Sequence, residues 1–162
     1  MRIKIFAYGF RNVYGLAVLS DARLIGIDHG PLGGDELNVI RKSANYGWPK
    51  ASEGVHYTGE FIPRALLKVT RPILYWADAV APSAITLVSK DFPTNMNGDL
   101  MVSTLKGKSI FRIHEYCGST FKIVEHIPFD FRIRDFLISL DGQLITLSDG
   151  SPSRLSIWPI SY

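Results

Sequence analysis

Ala84-Ile85-Thr86-Leu87-Val88, Leu100-Met101-Val102-Ser103 and Ser109-Ile110-Phe111-Arg112-Ile113 are consecutive short apolar runs, each parted from the next by turn residues. Asn95, Asn97, Gly98 and Asp99 precede the second run, and such residues favour a turn ahead of a strand. Thr104-Leu105-Lys106-Gly107-Lys108 separates the second run from the third, a length suited to a hairpin loop. Runs of this length, rich in Val and Ile and bounded by turn signals, read as antiparallel strands.

The same order recurs on both sides. Upstream stand Gly15-Leu16-Ala17-Val18, Leu24-Ile25-Gly26-Ile27 and Glu36-Leu37-Asn38-Val39-Ile40. Downstream stand Phe136-Leu137-Ile138-Ser139, Leu144-Ile145-Thr146-Leu147 and Arg154-Leu155-Ser156-Ile157, with Asp141-Gly142 as a hairpin turn between the first two. No segment makes an amphipathic helix, so the chain reads as all-β. A strand unit repeated in fixed order points to a β-propeller or another radial array. A blade takes about 40–50 residues and about 4–8 blades close a ring. The 162 residues therefore supply about three blades. An open arc leaves apolar faces uncovered. The chain is thus expected to be part of a longer protein, or a half-ring that pairs with a second copy. Residues 47–75 carry Pro49, Pro63 and Pro72 without clean periodicity and read as a long excursion that could build a binding face.

Composition narrows the function classes. Apolar residues make up 46% and charged residues 20%, which suits a packed globular chain and argues against general disorder. No run reaches the ~18 apolar residues of a membrane span. Residues 1–6 lack the apolar stretch and cleavage site of a signal peptide. A net charge of +3, spread along the chain, gives no reason to expect a nucleic-acid surface. The lone Cys117 excludes an intrachain disulfide and a Cys-based zinc site.

Several motifs fail on inspection. Gly107-Lys108-Ser109 has Val102 where a phosphate loop needs glycine, and it feeds a strand where a helix is required. Asn95-Met96-Asn97-Gly98 would place Pro93 and Thr104 at the first and last ligand positions of an EF-hand loop. No Gly-x-Ser-x-Gly elbow occurs. His29, His56, His114 and His126 never fall at metal-ligand spacing, so zinc is not expected.

What remains is a set of polar residues at strand ends and in loops. Arg11-Asn12 precedes the first strand. Asp28-His29-Gly30-Pro31-Leu32-Gly33-Gly34-Asp35-Glu36 follows a strand, and such a loop can expose backbone carbonyls to a ligand or a hard cation. Lys106 stands in the corresponding loop of the middle unit. Arg132 and Arg134 flank Ile133 and, in an extended segment, share one face, where two guanidinium groups can grip carboxylates. Taken singly, each has a plainer reading: a solvated strand face, a turn, or a carboxylate that caps backbone.

Read together in order, these stretches resemble a known family. Tyr8-Gly9-Phe10-Arg11-Asn12 with Gly15-Leu16-Ala17, Asp28-His29-Gly30-Pro31 with Gly33-Gly34-Asp35-Glu36-Leu37-Asn38, Asn45-Tyr46-Gly47-Trp48-Pro49, Tyr75-Trp76 with Ala81-Pro82-Ser83, Gly98-Asp99-Leu100 with Leu105-Lys106-Gly107, and Arg132-Ile133-Arg134-Asp135 span nearly the whole chain. The chain resembles the soluble pyrroloquinoline quinone (PQQ)-dependent sugar dehydrogenases, the glucose/sorbosone dehydrogenase group of six-bladed propellers, and within it the aldose sugar dehydrogenase branch. The match is to roughly the C-terminal half, so residues 1–162 read as one partial propeller domain.

The resemblance implies roles. Arg11, Asn12, Trp76, Lys106, Arg132 and Arg134 match positions that hold or line PQQ, whose carboxylates suit converging Arg and Lys. Gly30 and Pro31 match positions whose carbonyl oxygens bind Ca2+. It further implies an aldose substrate, an external electron acceptor and a periplasmic or extracellular setting. The family's general-base histidine belongs to the half that does not match, and none of the four histidines here replaces it. The chain alone is therefore expected to lack appreciable sugar oxidation. Two other readings compete: a propeller-derived binding module without redox chemistry, and a half-propeller that dimerises into a closed ring.

Overall fold

The structure, a computed structural model, describes residues 2–89 and 95–159. Met1 of the leader reading and Pro93 of the EF-hand comparison lie outside the described residues. Two compact units divide the chain, Met1–Ala79 and Val80–Tyr162. The described residues contain eleven strands and no helix.

The first unit holds one antiparallel meander of four strands, β1 (Val13–Val18), β2 (Leu24–Asp28), β3 (Asp35–Ile40) and β4 (Leu74–Trp76), paired in that order. Its core is the middle of the sheet: Ile25, Ile27 and Leu37 are wholly buried, with Tyr46 and Trp76 beside them in burial. Burying each of the three aliphatic side chains contributes about 1.5–3 kcal/mol. On β1 the alternation is reversed: Tyr14, Leu16 and Val18 face outward while Ala17 is buried. The excursion after β3 is present as expected, but its end differs. Leu74-Tyr75-Trp76, read as loop, pairs with Asp35-Glu36-Leu37 and closes the sheet as β4.

The second unit holds two sheets. β5 (Pro82–Leu87), β6 (Leu100–Thr104), β7 (Ser109–Tyr116) and β8 (Thr120–Pro128) form a four-stranded meander. β9 (Ile133–Ile138), β10 (Gln143–Ser148) and β11 (Leu155–Pro159) form a three-stranded one. β8 is a strand beyond the three expected in the middle repeat. The sheets meet in a core of Val88, Met101, Ile110, Ile133, Phe136 and Leu144. A polar tie crosses the same contact: Ser83 Oγ donates to the Ile133 carbonyl at 2.6 Å and lies 2.9 Å from Ser103 Oγ. The edge strand β11 leaves Leu155, Ile157 and Trp158 exposed.

The predicted turns are in place. Residues 95–98 form the turn ahead of β6, and Leu105–Lys108 link β6 to β7. Gly142 adopts φ +84° in the β9–β10 turn, a conformation that favours glycine.

Candidate functional site

In the first unit the polar residues gather where β1 begins and β2 ends. β1 and β2 are antiparallel, with Val13 opposite Asp28, so the approach to one strand lies beside the exit of the other. Asp28 is 5% exposed and spans the gap. Its Oδ2 accepts the Arg11 backbone N–H at 2.9 Å and its Oδ1 accepts the Asn12 N–H at 2.5 Å. Burial pushes the Asp28 carboxyl up from the usual carboxylate range, and these two N–H groups pull it back in part. The ladder then continues, because the His29 N–H donates to the Asn12 carbonyl at 3.1 Å.

The Arg11 side chain is held on three sides. One terminal nitrogen donates to the His29 carbonyl at 3.2 Å and the other to the Tyr57 hydroxyl at 2.8 Å. The guanidinium carbon lies 5.5 Å from the Trp48 ring centre and 5.6 Å from that of Tyr57, within cation–π range. Trp48 and Tyr57 both come from the excursion, which thus contributes to the site. Asn12 is exposed beside it.

The loop after β2 is pinned tightly. The Gly30 N–H donates to Asp35 Oδ1 at 2.9 Å, and the Gly34 N–H donates to the Trp76 carbonyl at 2.8 Å. Leu32 and Val55 exchange backbone hydrogen bonds of 3.1 and 3.3 Å. At Gly34 the need for glycine is absolute on two counts: φ is +67°, and a Cβ would lie 2.0 Å from the Gly54 nitrogen. Among the described residues the carbonyls of Gly30 and Pro31 accept no hydrogen bond. Trp76 is 6% exposed, with its backbone paired to Asp35, so it supports the loop from beneath.

Acidic groups cluster under this corner. Glu36 is 8% exposed, and its Oε2 accepts from Asn38 Nδ2 at 3.0 Å. Burial, with the charges of Asp28 and Glu53 adding to it and the Asn38 bond opposing, pushes Glu36 up to about 7. Glu53 is buried and paired with Arg71 at 2.6 Å. Among the described residues no group of three or more His, Cys, Asp or Glu is arranged to hold a metal ion.

In the second unit Lys106 is exposed in the β6–β7 turn. That turn is braced by the Leu105 N–H to the Ala81 carbonyl at 2.8 Å and the Gly107 N–H to the Val80 carbonyl at 2.9 Å. Arg132 and Arg134 do share one face, and both reach Asp149. Arg132 Nε donates to Asp149 Oδ2 at 2.8 Å, and Arg134 donates to Asp149 Oδ1 from Nη2 at 2.5 Å and from Nε at 3.2 Å. The two guanidinium groups hold the Asp149 carboxyl below the usual range. Their pairing was legible from the Arg-x-Arg spacing. Asp149 was not, since nothing in the sequence marks it.

The arrangement offers cationic donors for an anion in both units, and two free carbonyls for a hard cation in the first. The glucose/sorbosone dehydrogenase family profile matches residues 1–157. The chain belongs to this family. It is 34% identical over 161 residues to aldose sugar dehydrogenase YliI of Escherichia coli strain K12, covering 95% of this chain and 43% of that protein. The crystal structure of the soluble aldose sugar dehydrogenase from Escherichia coli in the apo-form superposes with a TM-score of 0.86 at 33% identity, over 96% of this chain and 47% of that one. The PQQ-bound aldose sugar dehydrogenase from Streptomyces coelicolor gives a TM-score of 0.72 at 25% identity, over 94% and 44%. The chain thus spans under half the length of these relatives. With the family in hand, the three sheets are blades of a six-bladed β-propeller, about three of which this chain supplies.

Proposed function

We propose that this chain carries the cofactor-holding part of a PQQ-dependent aldose sugar dehydrogenase, an oxidoreductase acting on a sugar at its anomeric carbon. The observation that carries the reading is the corner of the first unit, where the Arg11 guanidinium donates to the His29 carbonyl and the Gly30 and Pro31 carbonyls, which accept no hydrogen bond among the described residues, follow directly in the chain. A polyanionic cofactor with a hard cation needs that pair of opposite donors close together.

In this reading PQQ, when bound, supplies the oxidising equivalent that takes hydride from the sugar. The chain's own residues bind and orient. By the family resemblance Arg11 and Asn12, and likewise Lys106, Arg132 and Arg134, match positions that hold PQQ carboxylates, and Trp76 backs the loop that carries Gly30 and Pro31. The two carbonyls fit Ca2+, which takes oxygen ligands, but they are too few to fill its usual six to eight positions. Water and the cofactor would complete the set. Among the described residues Arg132 gives its Nε to Asp149 and its terminal nitrogens to no acceptor, which suits them to a ligand. The family resemblance also supports an external electron acceptor and a periplasmic or extracellular setting.

The test is a titration of the chain with PQQ, with and without calcium, followed by tryptophan fluorescence. Tight binding that requires calcium is expected. Absence of binding under both conditions, by this chain and by a full-length protein that carries the remaining blades, overturns the reading in favour of a binding module without redox chemistry. The outward Tyr14, Leu16 and Val18 of β1 and Leu155 and Ile157 of β11 favour an assembly in which a partner covers them, either the remaining blades or a second copy. A species of twice 18.1 kDa in solution would support the second copy, and a stable monomer would remove it.

A further inference from the structure

Arg11 and Asn12 stand ahead of β1, whereas Gly30 and Pro31 stand past the end of β2. The intervening hairpin fixes the two strands, but not the two flanking segments that leave the sheet. Asp28 and His29 tie them together, and Asp28 does so with its side chain. It is the last residue of β2, 5% exposed, and each carboxylate oxygen takes one backbone N–H from the pair Arg11-Asn12, at 2.9 and 2.5 Å. The next residue, His29, gives its N–H to Asn12 and its carbonyl to the Arg11 guanidinium, at 3.1 and 3.2 Å. The loop carbonyls begin directly after it.

We propose that Asp28 is a positioning residue for cofactor binding, setting the Arg11-Asn12 donors against the Gly30-Pro31 carbonyls without touching the cofactor. This rests on the PQQ reading above. A carboxylate is suited to the task because it is acceptor-only and bidentate, matching two adjacent N–H groups at once. Asparagine has the same shape but presents one acceptor and one NH2 donor, and the donor would face an N–H. One of the two links must therefore open, and Arg11 loses its fixed distance from the loop. A longer carboxylate keeps both acceptors.

The experiment compares wild type, Asp28→Asn and Asp28→Glu in titrations with PQQ and calcium chloride, followed by tryptophan fluorescence, to which Trp48, against whose ring Arg11 lies, contributes. Amide hydrogen exchange provides a second readout. Asp28→Asn is expected to raise the Kd for PQQ roughly tenfold, the scale of one lost hydrogen bond to a charged group. Exchange at the Arg11 and Asn12 amides should quicken while Ile25 and Ile27 stay protected. Asp28→Glu should recover part of the affinity. Asp28→Asn binding PQQ as wild type does, or both variants losing affinity equally, overturns the role and leaves the PQQ reading standing. Failure of the wild type to bind PQQ overturns both. The wild type also gives a measurement independent of any variant's folding. Adding PQQ and calcium should slow exchange at the Arg11 and Asn12 amides, and unchanged exchange overturns the role.

Discussion

Replacing Glu36 by Gln should stabilise this protein at neutral and alkaline pH and leave it unchanged in acid. Glu36 lies in β3, 8% exposed, with Asn38 Nδ2 donating to one oxygen at 3.0 Å and the carboxylates of Asp28 and Glu53 nearby. Burial and the two carboxylates, against the Asn38 side-chain and Glu53 backbone hydrogen bonds, push its pKa from 4.5 to about 7. The folded state therefore binds the Glu36 proton more tightly than the unfolded state does. This group costs nothing below the unfolded value near 4.5. Its penalty grows as pH rises from there to about 7 and is constant above. Integrated over that window the penalty is about 3 kcal/mol. Glutamine reproduces the protonated acid, with an oxygen to accept from Asn38 and a donor in place of the carboxyl proton, so it escapes the penalty. Urea unfolding at pH 4 and pH 8, followed by tryptophan fluorescence, measures the effect. Two of the three tryptophans, Trp48 and Trp76, lie in the unit that holds Glu36. A gain of about 3 kcal/mol at pH 8 that shrinks to within about 0.5 kcal/mol at pH 4 is expected. An equal difference at both pH values would falsify the reasoning, since it would trace the change to packing instead of charge.

Three further outcomes follow from the site. Gly34→Ala should destabilise the first unit by about 2 kcal/mol or more, because a Cβ there sits 2.0 Å from the Gly54 nitrogen at φ +67°; a urea midpoint equal to wild type would contradict the loop geometry. Arg132→Ala and Arg134→Ala should each weaken PQQ binding by roughly tenfold, with the deficit shrinking at high salt; unchanged titration curves would remove these arginines from the site. The chain supplied with PQQ, calcium and glucose should reduce an artificial dye no faster than the sugar-free control, if the general base lies in the unmatched half as the resemblance implies; sugar-dependent reduction at the rates of a whole dehydrogenase would refute this.

Most strands were legible because the short apolar runs of β5 to β7 and β9 to β11 are bounded by turn residues. β4 escaped because it is only three residues long, follows Pro72 and owes its existence to pairing with Asp35-Glu36-Leu37. β8 escaped for a different reason: most of its side chains are exposed, and only Phe121 and Ile127 turn inward. At the site, Arg132 and Arg134 could be placed on one face by spacing alone. Asp28, Tyr57 and Asp149 could not, because each acts across 15 or more residues through a register that only the folded sheets define. Glu36 looked like an ordinary polar position, and only its burial makes it a titrating group near neutrality.

On the proposed reading, the pairing of Arg132 and Arg134 with Asp149 sets a threshold for what would dock there. With two guanidinium groups already leaning on a resident carboxylate, a small monovalent anion such as chloride or acetate offers little that the protein does not itself provide. A visitor with several carboxylates can share the arginines and still reach other cations, so it gains where the simple ions do not. If these arginines hold the cofactor, the resting position of one side chain would favour a polycarboxylate over the simple ions of the medium.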